Sequence, residues 1–377
     1  MKIGDVNKKV KIEKVMIQAK IIADSRNEFG NRITTMIVTM PRIILAEFNT
    51  HRMFSRNSAS SRAIPFEKMV RSVEENPFIP IAWQKDHKGM QGVEYWTNDD
   101  RMFTALDKSE PAIDYCHRRW LEARDKACLT ACHLANHKVT KQLCNRLLEP
   151  FMWHTVIVTT TEWENFFALR CPKYELWKGK EEGQLETFRS KKDALKAMPD
   201  LLDKGIYANP VSDQDWLLLN KGQAEIHMMA LAEAMWDAYN ESTPKELKAG
   251  EWHIPFGDNY EVSRSTLTYN QVHNTLSDEY VGLVEEEQIK IATARCARVS
   301  YTVVGEEEKK DNYENDINLH DRLAKSGHWS PFEHCAQAMS RDNFLFDGEE
   351  IIQYGISGNF VGWVQYRKTM PNENITA

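Results

Sequence analysis

The stretch Thr50-His51-Arg52-Met53-Phe54-Ser55-Arg56-Asn57-Ser58-Ala59-Ser60-Ser61-Arg62 contains no carboxylate. The gap is wider than the stretch itself, since no Asp or Glu occurs between Glu47 and Glu67. The chain as a whole carries a formal net charge of −7. An acidic chain that clears one segment of carboxylates and places three arginines and a histidine there has the composition of an anion site. Arginine presents a planar fork that matches phosphate oxygens. Ser and Asn side chains, with free loop N–H groups, can complete the cradle. A solvated basic loop has the same charge, but the density of small hydroxyl residues favours phosphate. Two further carboxylate-free segments flank the first in the argument. They are His133 to Leu148, with Lys138, Lys141 and Arg146, and Gln288 to Gly305, with Lys290, Arg295 and Arg298. Singly, each reads as an ordinary helix face. Together, the three point to an enzyme that handles several anionic groups.

A chain of 377 residues suits one large domain or two modest ones with a substantial core. The apolar and aromatic content is that of a globular protein. No apolar run reaches bilayer length. The start, MKIGDVNKKVKIEKV, lacks the apolar centre of a secretory signal. Seven cysteines, an odd number spread thinly, fit reduced thiols and a cytoplasmic location. Net acidity argues against a general nucleic-acid binder. No dinucleotide fingerprint, P-loop or nucleophile elbow is present.

Ile33 to Val38 reads as a strand. Pro41 is expected to open a helix through Ile43, Ile44, Glu47 and Phe48 that delivers His51 and Arg52. Residues 53–65 read as a loop, 111–148 as one long helix ending before Pro150, and Glu162 to Arg170 as helical. Thr155 to Thr161 fits a strand or a strained helix start. The charged, Gly- and Pro-bearing segment 172–215 reads as a surface insertion. Gln223 to Tyr239 reads as an amphipathic helix with Ile226, Met229, Ala230 and Ala234 near one face. Residues 240–282 give no clear pattern, and 288–303 resume an apolar one. Residues 305–316 read as an acidic loop, followed by a short helix from Asp316 to Lys325 that stops at Gly327.

A second dense cluster is Ser326-Gly327-His328-Trp329-Ser330-Pro331-Phe332-Glu333-His334. Its spacing fits no standard zinc pattern, so hydrogen bonding to a cofactor or structural capping is the better reading. Cys128, Cys132, His133 and His137 also suggest zinc, but buried cysteines acting as small apolar residues are commoner. No metal is expected at either place.

These residues resemble the flavin-dependent thymidylate synthases. That family's signature runs Arg-His-Arg, two residues, Ser, one, Asn-Glu, one, Ser, one, Arg-Tyr. The chain matches it at His51, Arg52, Ser55, Asn57, Ser60 and Arg62, and departs at Thr50, Ser58 and Ala63. Pro41 to Phe48 resembles the helix leading into the motif. Arg146 to Pro150, Asn165 to Arg170 and Gln223 to Ile226 resemble further family segments. Ala297 to Tyr301 and Gly327 to His334 resemble the family's N-terminal segment, so the order looks circularly permuted. The matched pieces cover about half of the chain.

The resemblance implies an α+β fold of flavin-dependent thymidylate synthase type, with a central, mainly antiparallel sheet, long helices and permuted segment order. It implies a single catalytic domain over 1–377, carrying the insertion at 172–215 and a permuted segment at 283–377 that completes the flavin site. It also implies a homotetramer with active sites shared between subunits. FAD, NADPH and methylenetetrahydrofolate would be the cofactors, and deoxyuridylate the acceptor of a one-carbon unit at C5. Arg62, Ser60, Arg146, Ser58 and Ala59 would hold the nucleotide. Arg170 would face the pyrimidine as the catalytic cation. His51, Arg52, Asn57, Asn165, Ser300, His328, Ser330 and Glu333 would line the flavin. Reduced flavin would deliver hydride to C6, and the charge developing at the ring carbonyl needs a nearby cation. Ser58 stands where the family has a glutamate between flavin and nucleotide, which leaves open a hydroxymethylating or cytidylate-specific relative. Thr50 removes a cation, which Arg367 could replace. A different class, a non-catalytic nucleotide- or nucleic-acid-binding module, is also compatible with the basic loop.

Overall fold

The β-branched run at Ile33–Val38 lies inside β2 (Arg32–Pro41), the middle strand of a five-stranded sheet. In the computed structural model, the described residues are 16–89, 92, 94–103, 109–178, 184–199, 216–217, 219–257, 264–270, 275–281, 284–302, 313–340, 344–347, 350–353, 356–371 and 373. The strand order is β3 (Ser55–Ser58), β6 (Trp153–Thr160), β2, β1 (Gln18–Asn27) and β9 (Lys245–Leu247). All pairings in this sheet are antiparallel except that of β1 with β9. A smaller antiparallel sheet consists of β10 (Trp252–His253), β13 (Ala336–Ala338) and β16 (Trp363–Gln365). Four antiparallel ribbons complete the strands. They are β4 (Arg101–Phe103) with β5 (Ser109–Pro111), β7 (Tyr174–Lys178) with β8 (Gln184–Phe188), β11 (Arg264–Asn270) with β12 (Thr275–Val281), and β14 (Phe344–Asp347) with β15 (Glu350–Gln353). The architecture is α+β with a mainly antiparallel central sheet.

Period-2 alternation sends opposite residues of each strand to opposite faces. Met36, Val38 and Met40 of β2 and Val156 and Val158 of β6 face one side. There they pack on α1 (Leu45–Phe48), α5 (Glu164–Arg170) and α7 (Ile226–Glu241), through Phe48, Phe166, Phe167, Met228, Leu231 and Met235. Burying such side chains stabilises by about 1.5–3 kcal/mol each. The other face carries Ile157, which packs on Cys296 of α8 (Glu285–Arg298), and Ile33, which packs on Trp363 of the smaller sheet.

A polar seam crosses this second face. Thr35 and Ser55 both lie opposite Thr159. Thr35 Oγ1 and Thr159 Oγ1 are 2.7 Å apart. His253 of β10 bridges Thr35 (Nε2, 2.8 Å) and Ser25 (Nδ1, 2.9 Å), and His334 Nδ1 meets Thr159 at 2.8 Å. Burial pushes both imidazoles down to about 3, so both are neutral. On the opposite face, His154 is also pushed to about 3, by burial and then by Arg42.

Asn27 Nδ2 donates to Gly362 O at 2.7 Å, tying the larger sheet to the smaller one. Gly362 has φ +78°, and a Cβ there would lie 2.3 Å from Asn31 Oδ1. Gly362→Ala is therefore expected to cost about 2 kcal/mol, from the left-handed backbone and the displaced carboxamide. Denaturant midpoints of the two proteins measure it.

Several sequence expectations need correction. Pro41 closes β2, and a 3₁₀ turn (Arg42–Ile44) precedes the single-turn α1, because the chain must reverse at the sheet edge. The expected loop 53–65 contains β3, and α2 (Phe66–Glu75) follows Pro65. The expected single helix 111–148 is divided. α3 (Ala112–Asn136) ends at His137, Lys138 adopts φ 64°, and α4 (Lys141–Cys144) restarts on a Thr140 cap. Pro150 lies inside a 3₁₀ helix (Asn145–Phe151), not beyond a helix end. α7 starts at Ile226, capped by the Glu225 side chain, and is buried on more than one face.

Within 172–215, β7, β8 and α6 (Lys191–Ala197) enclose Tyr174, Leu176, Ala194 and Trp216, and Glu233 of α7 accepts from Tyr174 Oη and Lys191 N. Residues 200–215 and most of 305–316 lie outside the described residues. α9 (Tyr313–Lys325) ends before Gly327 at φ +70°, and α10 (Tyr366–Thr369) follows β16. No described helix is long and apolar enough to cross a membrane.

Candidate anion-binding site

β3 pairs with β6 and carries the chain into a tight loop at Ala59–Ile64. Ala59 N bonds Thr155 O, Ser60 N bonds Ser300 O, and the amides of Ala63 and Ile64 both reach Ser60 O. The buried Asn145 donates to Ser61 O (2.8 Å) and Ile64 O (3.1 Å), and Lys141 Nζ donates to Ala63 O (3.0 Å). This pinned loop walls a cleft of about 390 Å³ lined by Arg42, Leu45, Arg56, Asn57, Ser58, Ala59, Ser60, Ser61, Arg62, Arg146 and Ser300. Four guanidinium groups and four serine hydroxyls line it, with no carboxylate.

Arg62 and Arg146 are exposed at this cleft, and neither forms an ion pair with a described residue. Arg42 is 3.4 Å from Glu149. Arg56 is spent on the carbonyls of Phe48 (3.2 Å) and His51 (3.1 Å). Free cations facing hydroxyl groups in a concave surface are what a phosphate requires. The expectation of free loop N–H groups holds only in small part, because those of Ala59, Ser60, Ala63 and Ile64 reach backbone carbonyls and that of Arg62 reaches Ser60 Oγ. The cradle is made largely of side chains.

The structure brings together Ser58, Ala59, Ser60, Arg62 and Arg146, the set expected for the nucleotide, along with Asn57 and Ser300. Asn57 is already engaged, donating to Cys296 O at 2.7 Å and accepting from Ser300 Oγ at 3.2 Å. The remaining expected flavin residues do not line this cleft, although Ser330 and Glu333 belong to a 3₁₀ turn that packs against β3. Arg52 and Asn165 are exposed, as are His328 and Ser330, and His328 Nδ1 meets Ser326 Oγ at 2.9 Å. Glu333 is paired with Arg367 at 2.5 Å, and Arg367 also pairs with Glu373 at 3.0 Å. Thr50 Oγ1 caps Glu47 O.

Arg170 does not line the cleft. It stands at the end of α5, where Nε donates to His51 Nε2 at 3.0 Å and Nη1 pairs with Glu47. The His51 ring stacks on Phe54 (centroids 5.7 Å apart) and takes Phe166 edge-on at 4.9 Å. Burial, with Arg170 and Arg56 adding to it, pushes His51 down to about 4. Cys128 and Cys132 join the apolar cluster beneath α3, while His133 and His137 are exposed. Sequence reading missed Arg42, Arg56 and Ser61 in the lining and Lys141 and Asn145 behind it. Lys141 sat in view, inside a carboxylate-free segment, but nothing in the sequence showed that it would reach Ala63.

No family model and no curated protein matches the chain. Among solved structures, the chain is similar to a UMP/dUMP methylase PolB from Streptomyces cacaoi bound with 5-Br dUMP. The identity is 11% and the TM-score 0.30, over 56% of this chain and 99% of that one. The same methylase bound with 5-Br UMP gives 11% identity and a TM-score of 0.27, over 41% of this chain and 76% of that one. A likeness of that size leaves the functional reading to the residues themselves.

Proposed function

We propose that the chain is an enzyme that binds a pyrimidine deoxynucleotide by its phosphate in this cleft and adds a one-carbon unit to C5 of the ring, converting deoxyuridylate to thymidylate. The observation that carries it is a concave site with two unpaired guanidinium groups, a row of hydroxyls and no carboxylate, built from the segments that resemble flavin-dependent thymidylate synthases. FAD, NADPH and methylenetetrahydrofolate belong to this reading, as does the permuted single catalytic domain. Arg62, Arg146 and Ser60 hold the phosphate. Arg170 stabilises the charge that develops at the ring carbonyl. Because Arg170 is outside its own cleft, the reading includes a homo-oligomer in which a second copy completes each site. The exposed Ile43, Leu143, Leu147 and Leu169 supply apolar surface for such contact. Burial raises the thiols of Cys128, Cys171 and Cys335, which suits a reaction with no cysteine nucleophile.

The test is mass analysis of products from dUMP and, separately, dCMP, each with NADPH and methylenetetrahydrofolate. The expected result is a methylated product from dUMP alone and a yellow protein that releases FAD on denaturation. A hydroxymethyl product, or one from dCMP, keeps the substrate class and moves the reaction to the relative that Ser58 leaves open. Steeply salt-dependent oligonucleotide binding, with no flavin and no product, would replace the enzyme by a binding module.

A further inference from the structure

We propose that Glu47 and His51 are positioning residues that fix the guanidinium of Arg170 so that one edge of it remains for the pyrimidine ring, an inference that rests on the reading of Arg170 just given. A guanidinium has five N–H donors in one plane. Here Nε is taken by His51 Nε2 at 3.0 Å and Nη1 by Glu47. Nη2 has no partner among the described residues, and the side chain is 22% exposed. Anchors on Nε and Nη1 hold the guanidinium plane from two directions and leave the Nη2 edge open, with its two N–H donors in a fixed direction.

The anchors are themselves held. Thr50 bonds Glu47 O through both its amide (3.0 Å) and its hydroxyl (2.7 Å), which closes the turn after α1. Arg56 ties the same turn to the cleft wall through Phe48 O and His51 O. Phe54 and Phe166 clamp the imidazole, and Phe166 sits one turn before Arg170 on α5. To accept from Nε, His51 must carry its proton on Nδ1. Burial between two cations keeps it unprotonated down to about pH 4, so the acceptor survives across the neutral range. The pair is partly buried, with side chains 22% and 29% exposed, and a Gln at position 47 can still accept from Nη1, so the change is expected to show more in the reaction than in melting.

Three variants separate positioning from packing. His51→Phe keeps the ring stack and removes the acceptor, His51→Gln keeps an acceptor and removes the ring, and Glu47→Gln removes the charge. Glu47→Gln and His51→Phe are expected to lower kcat by about 100-fold, the scale of a misplaced group, with the KM for dUMP and the melting temperature nearly unchanged. His51→Gln is expected to recover most of the rate. A His51→Phe enzyme as fast as the parent, or a His51→Gln enzyme slower than His51→Phe, would overturn the assignment. Nitrogen-15 spectra of His51 read the geometry without turnover. Nε2 should remain an unprotonated acceptor down to about pH 4 in the parent and titrate nearer its ordinary value of about 6.5 in Arg170→Ala. A parent protein with no turnover on any pyrimidine nucleotide sinks the reaction. A His51 that titrates near its ordinary value in the parent sinks the positioning.

Discussion

Replacing Arg62 and Arg146 together by alanine is expected to weaken deoxyuridylate binding by about 1000-fold, and each single replacement by about 10- to 100-fold. A hydrogen bond to a charged group contributes about 1.5–3 kcal/mol, and about 1.4 kcal/mol is tenfold in affinity. Neither guanidinium pairs with a carboxylate among the described residues, so the phosphate gains the full contact. Arg42→Ala is expected to cost less, because Arg42 already shares Glu149 at 3.4 Å. Calorimetric titration with dUMP at low salt measures all four proteins. Flavin retention in the same samples is the control, since these residues line the nucleotide cleft alone. An equal loss of both ligands, or no loss of dUMP affinity, contradicts the assignment.

Three buried imidazoles alone are expected to remove about 6 kcal/mol of folding stability by pH 5. His154, His253 and His334 are buried, and each is pushed from the ordinary 6.5 to about 3 in the folded protein. The unfolded chain therefore takes up protons first, below about pH 6.5, while the folded chain stays neutral. Stability is complete above that value and falls through the window down to about pH 3. At pH 5 each imidazole contributes a loss of about 2 kcal/mol, from 1.36 kcal/mol per unit. Against a total of about 5–15 kcal/mol, that brings the protein close to unfolding. Urea midpoints between pH 8 and pH 5 follow the slope, and His253→Gln should flatten it by about one third. A midpoint independent of pH would mean that these rings are not neutral and buried as the seam requires.

The central sheet was legible in part, because Ile33 to Val38 is rich in β-branched residues, while Thr155 to Thr161 fitted a strand or a strained helix start until its ladder with β2 decided it. The cleft was legible through charge together with hydroxyl density, in the carboxylate-free stretch between Glu47 and Glu67. β3 was not. Ser55-Arg56-Asn57-Ser58 has no β-branched residue and becomes a strand only because β6 supplies the ladder. The break in the long helix turns on Lys138 at φ 64°, a conformation that no local residue type announced. The seam was equally hidden. His253 lies in a polar segment without periodicity, and its partners Ser25 and Thr35 are over 200 positions away. The placement of Arg170 with Glu47 and His51 also escaped notice, since those residues meet only after α5 folds back over α1.

The amides of the Ala59–Ile64 loop are consumed largely by the protein's own carbonyls and by Ser60. The scaffold and the ligand chemistry are thus written in different parts of the polymer, one in the main chain and one in the side chains. The lining can be exchanged letter by letter without reopening the loop that displays it. Fold and specificity are free to evolve at different rates, and a new substrate can be reached through changes that leave the backbone where it is.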